Sequence, residues 1–247
     1  MTGAIVQARM GSTRLPGKVL MTAAGKPMLG HLLSRLSFSR KLQKVVVATS
    51  TERRDDAIEA CGKGIGIPVF RGSEKDVLDR YHGAAAQHAL DVIVRIPADC
   101  PLIDPTLIDE MVSFFEVHDD EYDVVTNRHP RTFPDGLAFD VIHRKALDDA
   151  WARATEPHQR EHVVPFFWEC GYRVFNYEDP ERNFRRHRWT LDYPEDFELI
   201  RRIFEALHRD GRLFTRHEIL AYLDRHPDLP ALNARYIPPE SGEKERA

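Results

Sequence analysis

The sequence predicts an α/β fold with a mainly parallel central sheet and helices on both of its faces. Short apolar runs alternate with amphipathic stretches along the chain, which is the pattern that successive βα units produce. The apolar runs predict strands at 4–8, 44–49, 67–70 and 91–96. Helices are predicted after these strands, at 28–36, 52–61, 75–90 and 106–117.

Local signals support the individual elements. The strand at 4–8 is almost wholly apolar, and the strand at 91–96 is apolar up to Pro97. In the helix at 28–36, apolar residues recur at helical spacing and share one face: Met28, Leu29, Leu32, Leu33 and Leu36. Pro105 suits the first turn of the helix that follows it.

The second half of the chain has a less regular pattern. It predicts strands at 123–126, 137–142, 172–176 and 189–192, and helices at 145–154, 158–169, 195–208 and 216–225. We interpret 128–182 as a small α+β subdomain inserted into one domain that spans 1–237. The polar residues 238–247 are expected to form a disordered tail.

Composition excludes several classes of protein. The 247 residues carry a net charge of -4, which argues against a general nucleic-acid binder. Cys61, Cys100 and Cys170 lie far apart, so they suggest neither a disulfide framework nor a zinc site and fit a reducing cytoplasm. No stretch approaches the roughly 18 consecutive apolar residues of a membrane span, and the N-terminus lacks a signal-peptide pattern.

The loop after the first strand, 7–18, is the most informative segment. Gly11 allows close approach of the backbone to a ligand, and Ser12 adds a hydroxyl donor. Arg9, Arg14 and Lys18 concentrate positive charge at the carboxyl end of a strand, where open α/β sheets bind ligands. The spacing is neither that of a Walker loop nor GxGxxG. The segment therefore predicts an anion site, the alternative being a solvated basic loop.

Two aspartates from distant parts of the chain are candidate metal ligands. Asp99 follows the strand at 91–96, and Asp192 ends the predicted strand at 189–192. Mg²⁺ typically takes one or two carboxylates together with phosphate oxygens and water. The alternative for Asp192 is a helix N-cap before Pro194. Cys100 is interpreted as a small buried residue rather than a nucleophile.

The loop 7–18 resembles the signature loop of the sugar nucleotidyltransferases in their cytidylyltransferase branch. The resemblance is closest to the spore coat polysaccharide biosynthesis protein F group and its acylneuraminate and deoxy-manno-octulosonate relatives. It implies a Rossmann-like nucleotide-diphospho-sugar transferase fold and assigns metal binding to Asp99 and Asp192. It also implies catalytic roles for Arg14, Lys18 and Asp99. The implied nucleotide contacts are Ala8, Arg9, Met10, Gly11, Ser12, Arg14, Lys18, Arg71, Gly72 and Arg95.

The acceptor side departs from the family pattern. The segment 133–142 resembles a family segment in which Ala138 stands here for an aspartate and Asp140 for a glutamate. Candidate acceptor contacts are Asp135, Gly136, Asp140, His162 and Arg188. For His162 a helix-surface or core position is an equal alternative. A solvated face is the default for the cationic run at 182–188.

The resemblance implies a magnesium-dependent transfer of CMP, or another nucleoside monophosphate, to a sugar, sugar acid or sugar phosphate. Pyrophosphate is released, and the product serves surface or spore polysaccharide biosynthesis. The base stays open between CTP and GTP, and a cytoplasmic homodimer is expected. Two alternatives remain: a GT-A-like glycosyltransferase, for which Asp119 and Asp120 are the nearest acidic pair, or a non-catalytic nucleotide-binding protein.

Overall fold

The computed structural model describes residues 1–180 and 184–237. Among these residues, seven strands form one sheet in the order β5-β4-β1-β6-β8-β7-β9, and β2 and β3 form a separate hairpin. The strands are β1 (Thr2–Gln7), β2 (Thr22–Ala23), β3 (Lys26–Pro27), β4 (Lys44–Ser50), β5 (Val69–Gly72), β6 (Val92–Pro97), β7 (Val124–Thr126), β8 (Asp140–His143) and β9 (Val174–Asn176).

Helices connect these strands. They are α1 (Met28–Leu36), α2 (Asp56–Gly64), α3 (Val77–Gln87), α4 (Pro105–Val117), α5 (Arg144–Arg153), α6 (Pro157–His162), α7 (Pro165–Glu169), α8 (Pro194–Leu207), α9 (Arg216–Asp224) and α10 (Asp228–Ala231). The sequence sets several of their starts. Asp104 caps α4 ahead of Pro105, and Asp76 accepts a hydrogen bond from the Asp79 amide at the start of α3.

The order of the strands places a ligand crevice at β1. Strand β1 pairs in parallel with β4 on one side and with β6 on the other, and β4 pairs in parallel with β5. The chain therefore builds the sheet outward from β1 in one direction and then returns to its other side. Such a switch point, at the carboxyl ends of parallel strands, is where open α/β sheets bind ligands.

Alternation along the strands divides the core between the two faces of the sheet. In β1, Ala4 and Val6 pack in one apolar cluster and Ile5 packs in the other. The first cluster contains apolar residues of α1, α4, α8 and α9, and the second contains those of α3, α5 and α7. Helices thus cover both faces, which confirms the predicted fold class.

The segment 128–182 takes part in the central sheet. Strand β8 lies between β6 and β7 and runs antiparallel to both, and β9 pairs with β7 at the sheet edge. The predicted inserted subdomain therefore shares strands with the core as far as residue 180. Residues 181–183 and the predicted tail at 238–247 lie outside the described residues.

Two elements differ from the sequence expectation. The segment 189–192 is not a strand: an isolated bridge between Asp135 and Arg188 and single backbone hydrogen bonds take the place of a sheet ladder. The helix predicted at 158–169 is divided into α6 and α7, because Val163 has a φ of 69° and Pro165 begins a new helix. None of the described helices is long and apolar enough to cross a membrane.

His31 links the stability of this fold to pH. Its side chain is buried, stacks on Phe204, and places Nε2 2.7 Å from the Ala23 carbonyl oxygen. Burial lowers the pKa of His31 to about 4. In the unfolded chain this histidine is protonated below about pH 6.5, whereas in the folded chain it stays neutral down to about pH 4. The free energy of unfolding therefore decreases as the pH falls from about 6.5 to about 4.

We predict that this group removes up to about 3 kcal/mol of unfolding free energy between pH 6.5 and pH 4. His31→Gln keeps a donor near Ala23 but does not titrate, so its unfolding free energy should fall less over this range. Urea unfolding at several pH values measures the difference. Parallel pH profiles for wild type and His31→Gln would contradict the assignment.

Candidate active site

The buried carboxylate of Asp55 fixes the backbone of the loop 7–18 after β1. Asp55, fully buried at the start of α2, accepts hydrogen bonds from the amides of Met10 (2.8 Å) and Ser50 (3.2 Å). The Gly17 amide donates to the Met10 carbonyl oxygen at 3.2 Å, and Gly17 itself has a φ of 71°. These contacts bend the loop into a closed turn, so that it leads directly into the short 3₁₀ turn at Lys18–Leu20.

The remaining loop residues make local contacts at the carboxyl end of β1. Ala8 is buried and its amide donates to the Ala48 carbonyl oxygen, which continues the β1 ladder by one residue. Gly11 packs against a guanidinium: a β-carbon there would lie 3.2 Å from Arg54 Cζ. The hydroxyl of Ser12 accepts a hydrogen bond from the Leu15 amide at 3.3 Å. The predicted nucleotide contacts of this loop therefore share one turn at the sheet edge.

Lys18 is the centre of the site. Its side chain is almost buried, and its ammonium nitrogen lies 3.1 Å from Asp99 Oδ2 and 2.8 Å from Asp192 Oδ1. Burial by itself would lower the pKa of Lys18, but the two carboxylates outweigh it and raise the pKa above its ordinary value. The lysine is therefore a permanent cation between the two predicted metal ligands.

The two aspartates meet because an irregular segment packs on the end of β6. The Leu191 amide donates to the Asp99 carbonyl oxygen at 2.8 Å, which aligns residues 189–192 with the turn after β6. Trp189 and Leu191 are fully buried in the core, and this anchors the segment without a sheet ladder. Asp192 thus reaches the predicted place from a loop rather than from a strand.

Arg14 is the second cation of the site. Its guanidinium lies 2.8 Å from Asp192 Oδ1 and 5.1 Å from the centroid of the Tyr193 ring. Its side chain is 49% exposed, so it faces the open side of the cleft. Burial raises the pKa of Asp192, but the surrounding cations outweigh this effect and hold it below its ordinary value.

Arg188 connects Asp192 to buried residues of the core. Its guanidinium contacts Asp135 (3.1 Å), Asp192 (3.2 Å) and Asp196 (2.9 Å), and the side chain is almost buried. Gly136 is required next to it, because a β-carbon there would lie 2.4 Å from the Trp189 carbonyl carbon. The geometry gives Arg188 a role in orienting Asp192, while a contact of Arg188, Asp135 or Gly136 with an acceptor stays a prediction.

Asp140 lies at the carboxyl edge of the sheet but is completely buried. Its carboxylate contacts Arg95 at 3.0 Å, Arg128 at 3.3 Å and the Thr126 hydroxyl at 2.7 Å. These partners occupy both carboxylate oxygens, so Asp140 supports the cleft floor in the described structure. Direct contacts of Asp140 with the acceptor and of Arg95 with the nucleotide remain predictions.

Arg71 and Gly72 end β5 at the same edge of the sheet. The Arg71 guanidinium is already engaged, with contacts to Asp56 (2.6 Å) and Glu59 (2.7 Å) and to two carbonyl oxygens. Gly72 has no room for a side chain, because a β-carbon would lie 2.9 Å from Arg80 Cγ. The Gly72 carbonyl oxygen accepts a hydrogen bond from the Thr51 amide, and a contact of Arg71 or Gly72 with a nucleotide stays a prediction.

A second part of the cleft lies beside Arg9. This space of about 600 Å³ is lined by Arg9, Glu74, Lys75, Asp76, Pro157, Arg160 and Glu161. Arg9 lies 3.9 Å from Glu161, and Arg160 lies 2.6 Å from Asp76. His162, at the end of α6, is exposed. The structure thus gives His162 the surface position of its alternative interpretation, and its contact with the acceptor is untested.

Two further predictions concern Cys100 and the rest of the cationic run beside Arg188. Arg186 is exposed and His187 is buried, while Arg182 lies outside the described residues. Burial, reinforced by Asp99, raises the pKa of the Cys100 thiol well above its ordinary value. A neutral buried thiol is a poor nucleophile, which agrees with the interpretation from sequence.

The donor set fits a magnesium ion. Asp99 and Asp192 supply hard carboxylate oxygens close enough together to share one lysine, and Asp99 is 31% exposed toward the cleft. Over 1–180 and 184–237, no group of three or more His, Cys, Asp or Glu side chains is placed to hold a metal. A two-carboxylate site, completed by phosphate oxygens and water, is therefore the arrangement these residues support.

Comparisons with known proteins match most of the chain. The model of the cytidylyltransferase family matches residues 3–220. The chain is 36% identical over 233 residues to spore coat polysaccharide biosynthesis protein SpsF of Bacillus subtilis, which covers 91% of this chain and 94% of that protein. It is 35% identical over 150 residues to 8-amino-3,8-dideoxy-manno-octulosonate cytidylyltransferase of Shewanella baltica. That match covers 59% of this chain and 56% of the relative.

The fold agrees with a solved structure as well. The chain is similar to a cytidylyltransferase from Leptospira borgpetersenii, with a TM-score of 0.88 and 34% sequence identity. The similarity covers 93% of this chain and 96% of that one. The sequence comparisons and the fold comparison therefore point to the same family.

We predict that Lys18→Met destabilises the chain and makes its stability depend on magnesium. Without the ammonium, Asp99 and Asp192 repel one another, and the loss is expected to be about 2–3 kcal/mol because Asp99 is partly exposed. Added MgCl₂ should then raise the melting temperature of Lys18→Met far more than that of wild type.

Lys26→Met is the matched control, because Lys26 pairs with Asp210 at the surface, away from the two aspartates. Differential scanning calorimetry with and without magnesium measures all three proteins. If Lys18→Met and Lys26→Met respond alike to magnesium, the central position of Lys18 is wrong.

Proposed function

This chain belongs to the cytidylyltransferase family and is a nucleotidyltransferase, and from that premise we propose that it transfers CMP from CTP to a sugar acid and releases pyrophosphate. The observation that carries the proposal is the bridge from Lys18 to Asp99 and Asp192 below the loop 7–18. It brings the cation needed by a triphosphate and the carboxylates needed by its metal to one point.

The reaction requires in-line displacement at the α-phosphorus. An acceptor oxygen forms a bond to the α-phosphorus while the bond to the oxygen leading to the β-phosphorus breaks, and pyrophosphate leaves. Negative charge grows on the departing group, where Lys18 and Arg14 offset it. A sugar hydroxyl also loses its proton in this step, to a carboxylate base or to water, whereas a phosphate acceptor attacks as an oxyanion and needs no base.

Magnesium is the proposed cofactor. When bound, it would supply positive charge that offsets the negative charge developing in the transition state. Asp99 and Asp192 would hold it, and Arg188 would keep Asp192 turned toward it through their 3.2 Å contact. Lys18, freed from the two carboxylates, would then face the phosphates.

The family and the relatives support this choice of donor and acceptor. The matched family is that of the cytidylyltransferases, which favours CTP over GTP and other donors. One relative is named for polysaccharide biosynthesis and another for an amino-dideoxy-octulosonate, a sugar acid. We therefore place the product in surface or spore polysaccharide biosynthesis. Ala138 and Asp140, which depart from the family pattern, are expected to set the choice among such acceptors.

The alternative as a glycosyltransferase has weak support. Asp119 and Asp120 precede β7, which runs in the direction of β6, so they lie at the amino edge of the sheet. The loop 7–18 and Asp99 lie at the opposite, carboxyl edge. An acidic pair on the wrong edge does not serve a nucleotide bound there. The intact triad of Lys18, Asp99 and Asp192 likewise argues against a protein that only binds nucleotide.

Assembly and location are further proposals. A homodimer formed through 128–182 is expected from the family resemblance. A cytoplasmic location fits the three separate cysteines, which are not paired in disulfides.

We predict magnesium-dependent release of pyrophosphate with CTP and a pool of sugar acids, and at least tenfold less with GTP, UTP or ATP. Asp99→Asn and Asp192→Asn should each lower kcat/KM by about 100-fold or more, because each removes a charged ligand from the reacting phosphates. A coupled pyrophosphate assay on the full chain measures both effects.

Asp120→Asn is the control, since it lies at the opposite edge of the sheet and should retain wild-type turnover. Wild-type activity in Asp99→Asn or Asp192→Asn would reject the metal assignment. Transfer of a sugar from a sugar nucleotide, lost in Asp120→Asn, would support the glycosyltransferase instead.

A further inference from the structure

The end of the described chain returns to the active site. Residues 228–237 lie beyond the part of the chain that the family match covers. They comprise the short helix α10 and a 3₁₀ turn at Ala234–Tyr236, and two of their side chains reach the segment that carries Asp192. These two side chains, Asn233 and Tyr236, have no role in the proposed reaction.

Asn233 is the first of them. It is only 1% exposed, and its side-chain nitrogen donates to Asp196 Oδ1 at 2.8 Å and to the Arg188 carbonyl oxygen at 2.9 Å. Both acceptors are buried and belong to the residues on either side of the turn at Asp192. A single amide group thus connects the two ends of this turn.

Asp196 shows why this connection matters. Its carboxylate is fully buried and accepts hydrogen bonds from the amides of Asp192 and Tyr193, both at 3.0 Å. Two nitrogens of the Arg188 guanidinium donate to it as well, at 2.9 and 3.0 Å. The backbone of Asp192 and the arginine that contacts its side chain are therefore fixed by one carboxylate, which Asn233 orients.

Tyr236 provides a second, independent contact. Its ring stacks on Tyr193 with 3.8 Å between the centroids and 2° between the planes. Two guanidinium groups also lie beside the Tyr193 ring, that of Arg14 at 5.1 Å and that of Arg188 at 5.8 Å from its centroid. Tyr236 therefore packs against the Tyr193 ring that contacts the Arg14 guanidinium.

We propose that residues 228–237 are a positioning element of the active site: Asn233, through Asp196, sets the orientation of Asp192, and Tyr236, through Tyr193, sets that of Arg14. Neither side chain contacts the reacting atoms. The proposal rests on the proposed function for its effect on metal and nucleotide, but the hydrogen bonds that it invokes can be tested without it.

The first measurement is hydrogen exchange of the Asp192 and Tyr193 amides, followed by NMR. Asn233→Ala removes the donor, and Asn233→Asp keeps the shape but places a second carboxylate beside Asp196. Both variants should speed exchange at these two amides by at least tenfold. Thr215→Ala, which removes the N-cap of α9 and leaves the Asp196 contacts intact, should leave exchange at Asp192 and Tyr193 unchanged.

The second measurement is the affinity for Mn²⁺ in the presence of CTP, followed by electron paramagnetic resonance of the free ion. Loss of an outer-shell partner typically weakens metal binding by about 10- to 100-fold, and we expect this in both Asn233 variants but not in Thr215→Ala. Tyr236→Ala should weaken CTP binding severalfold, whereas Tyr236→Phe keeps the stacked ring and should match wild type.

The outcomes separate the two proposals. Unchanged amide exchange in folded Asn233→Ala and Asn233→Asp overturns the positioning role. Faster exchange with wild-type Mn²⁺ affinity also overturns it, since the residue then serves only the stability of the turn. If wild type itself binds no CTP and Mn²⁺, the proposed function fails, and the exchange rates still decide whether Asn233 holds the turn.

Discussion

The lysine of the loop after β1 determines how the rest of the site is arranged. Lys18 can lie between Asp99 and Asp192 only if its loop bends back over the sheet, which the buried carboxylate of Asp55 ensures. Two carboxylates this close would repel one another without a cation, so the lysine stabilises the folded chain before any substrate arrives. The same closeness would allow both carboxylates to hold one metal ion, which is the role proposed for them.

The sheet topology makes this meeting possible. Because β6 lies beside β1, the loop 7–18 and Asp99 share one edge, although about 80 residues separate Lys18 from Asp99 in the chain. Asp192 lies beside them because the amide of the preceding residue, Leu191, donates a hydrogen bond to the Asp99 carbonyl oxygen. Asp192 is not part of a strand. A buried network around Asp196 then fixes the backbone on the other side of Asp192. Lys18, Asp99 and Asp192 are thus positioned by three different parts of the fold.

The sequence predicted those features that depend on local pattern. Apolar runs and helical spacing located β1, β4 and β6, and the position of Lys18 and Asp99 just after strands pointed to one edge. The prediction of a strand at 189–192 was wrong. The alternating residues Trp189 and Leu191 are buried as in a strand, but the segment packed beside them forms only an isolated bridge and no ladder. Asn233 gave no signal, since its partners lie 37 and 45 residues away. Contacts of that kind depend on the completed fold.

A crystal structure of the full chain with Mn²⁺ and a non-hydrolysable CTP analogue tests the central claim most directly. An anomalous difference map locates the metal without reference to its ligands. We expect one peak in contact with both Asp99 and Asp192, at about 2.2 Å from their oxygens, and the Lys18 ammonium displaced onto the phosphates. Lys18 still bridging the two aspartates, with the metal bound elsewhere, would contradict the account.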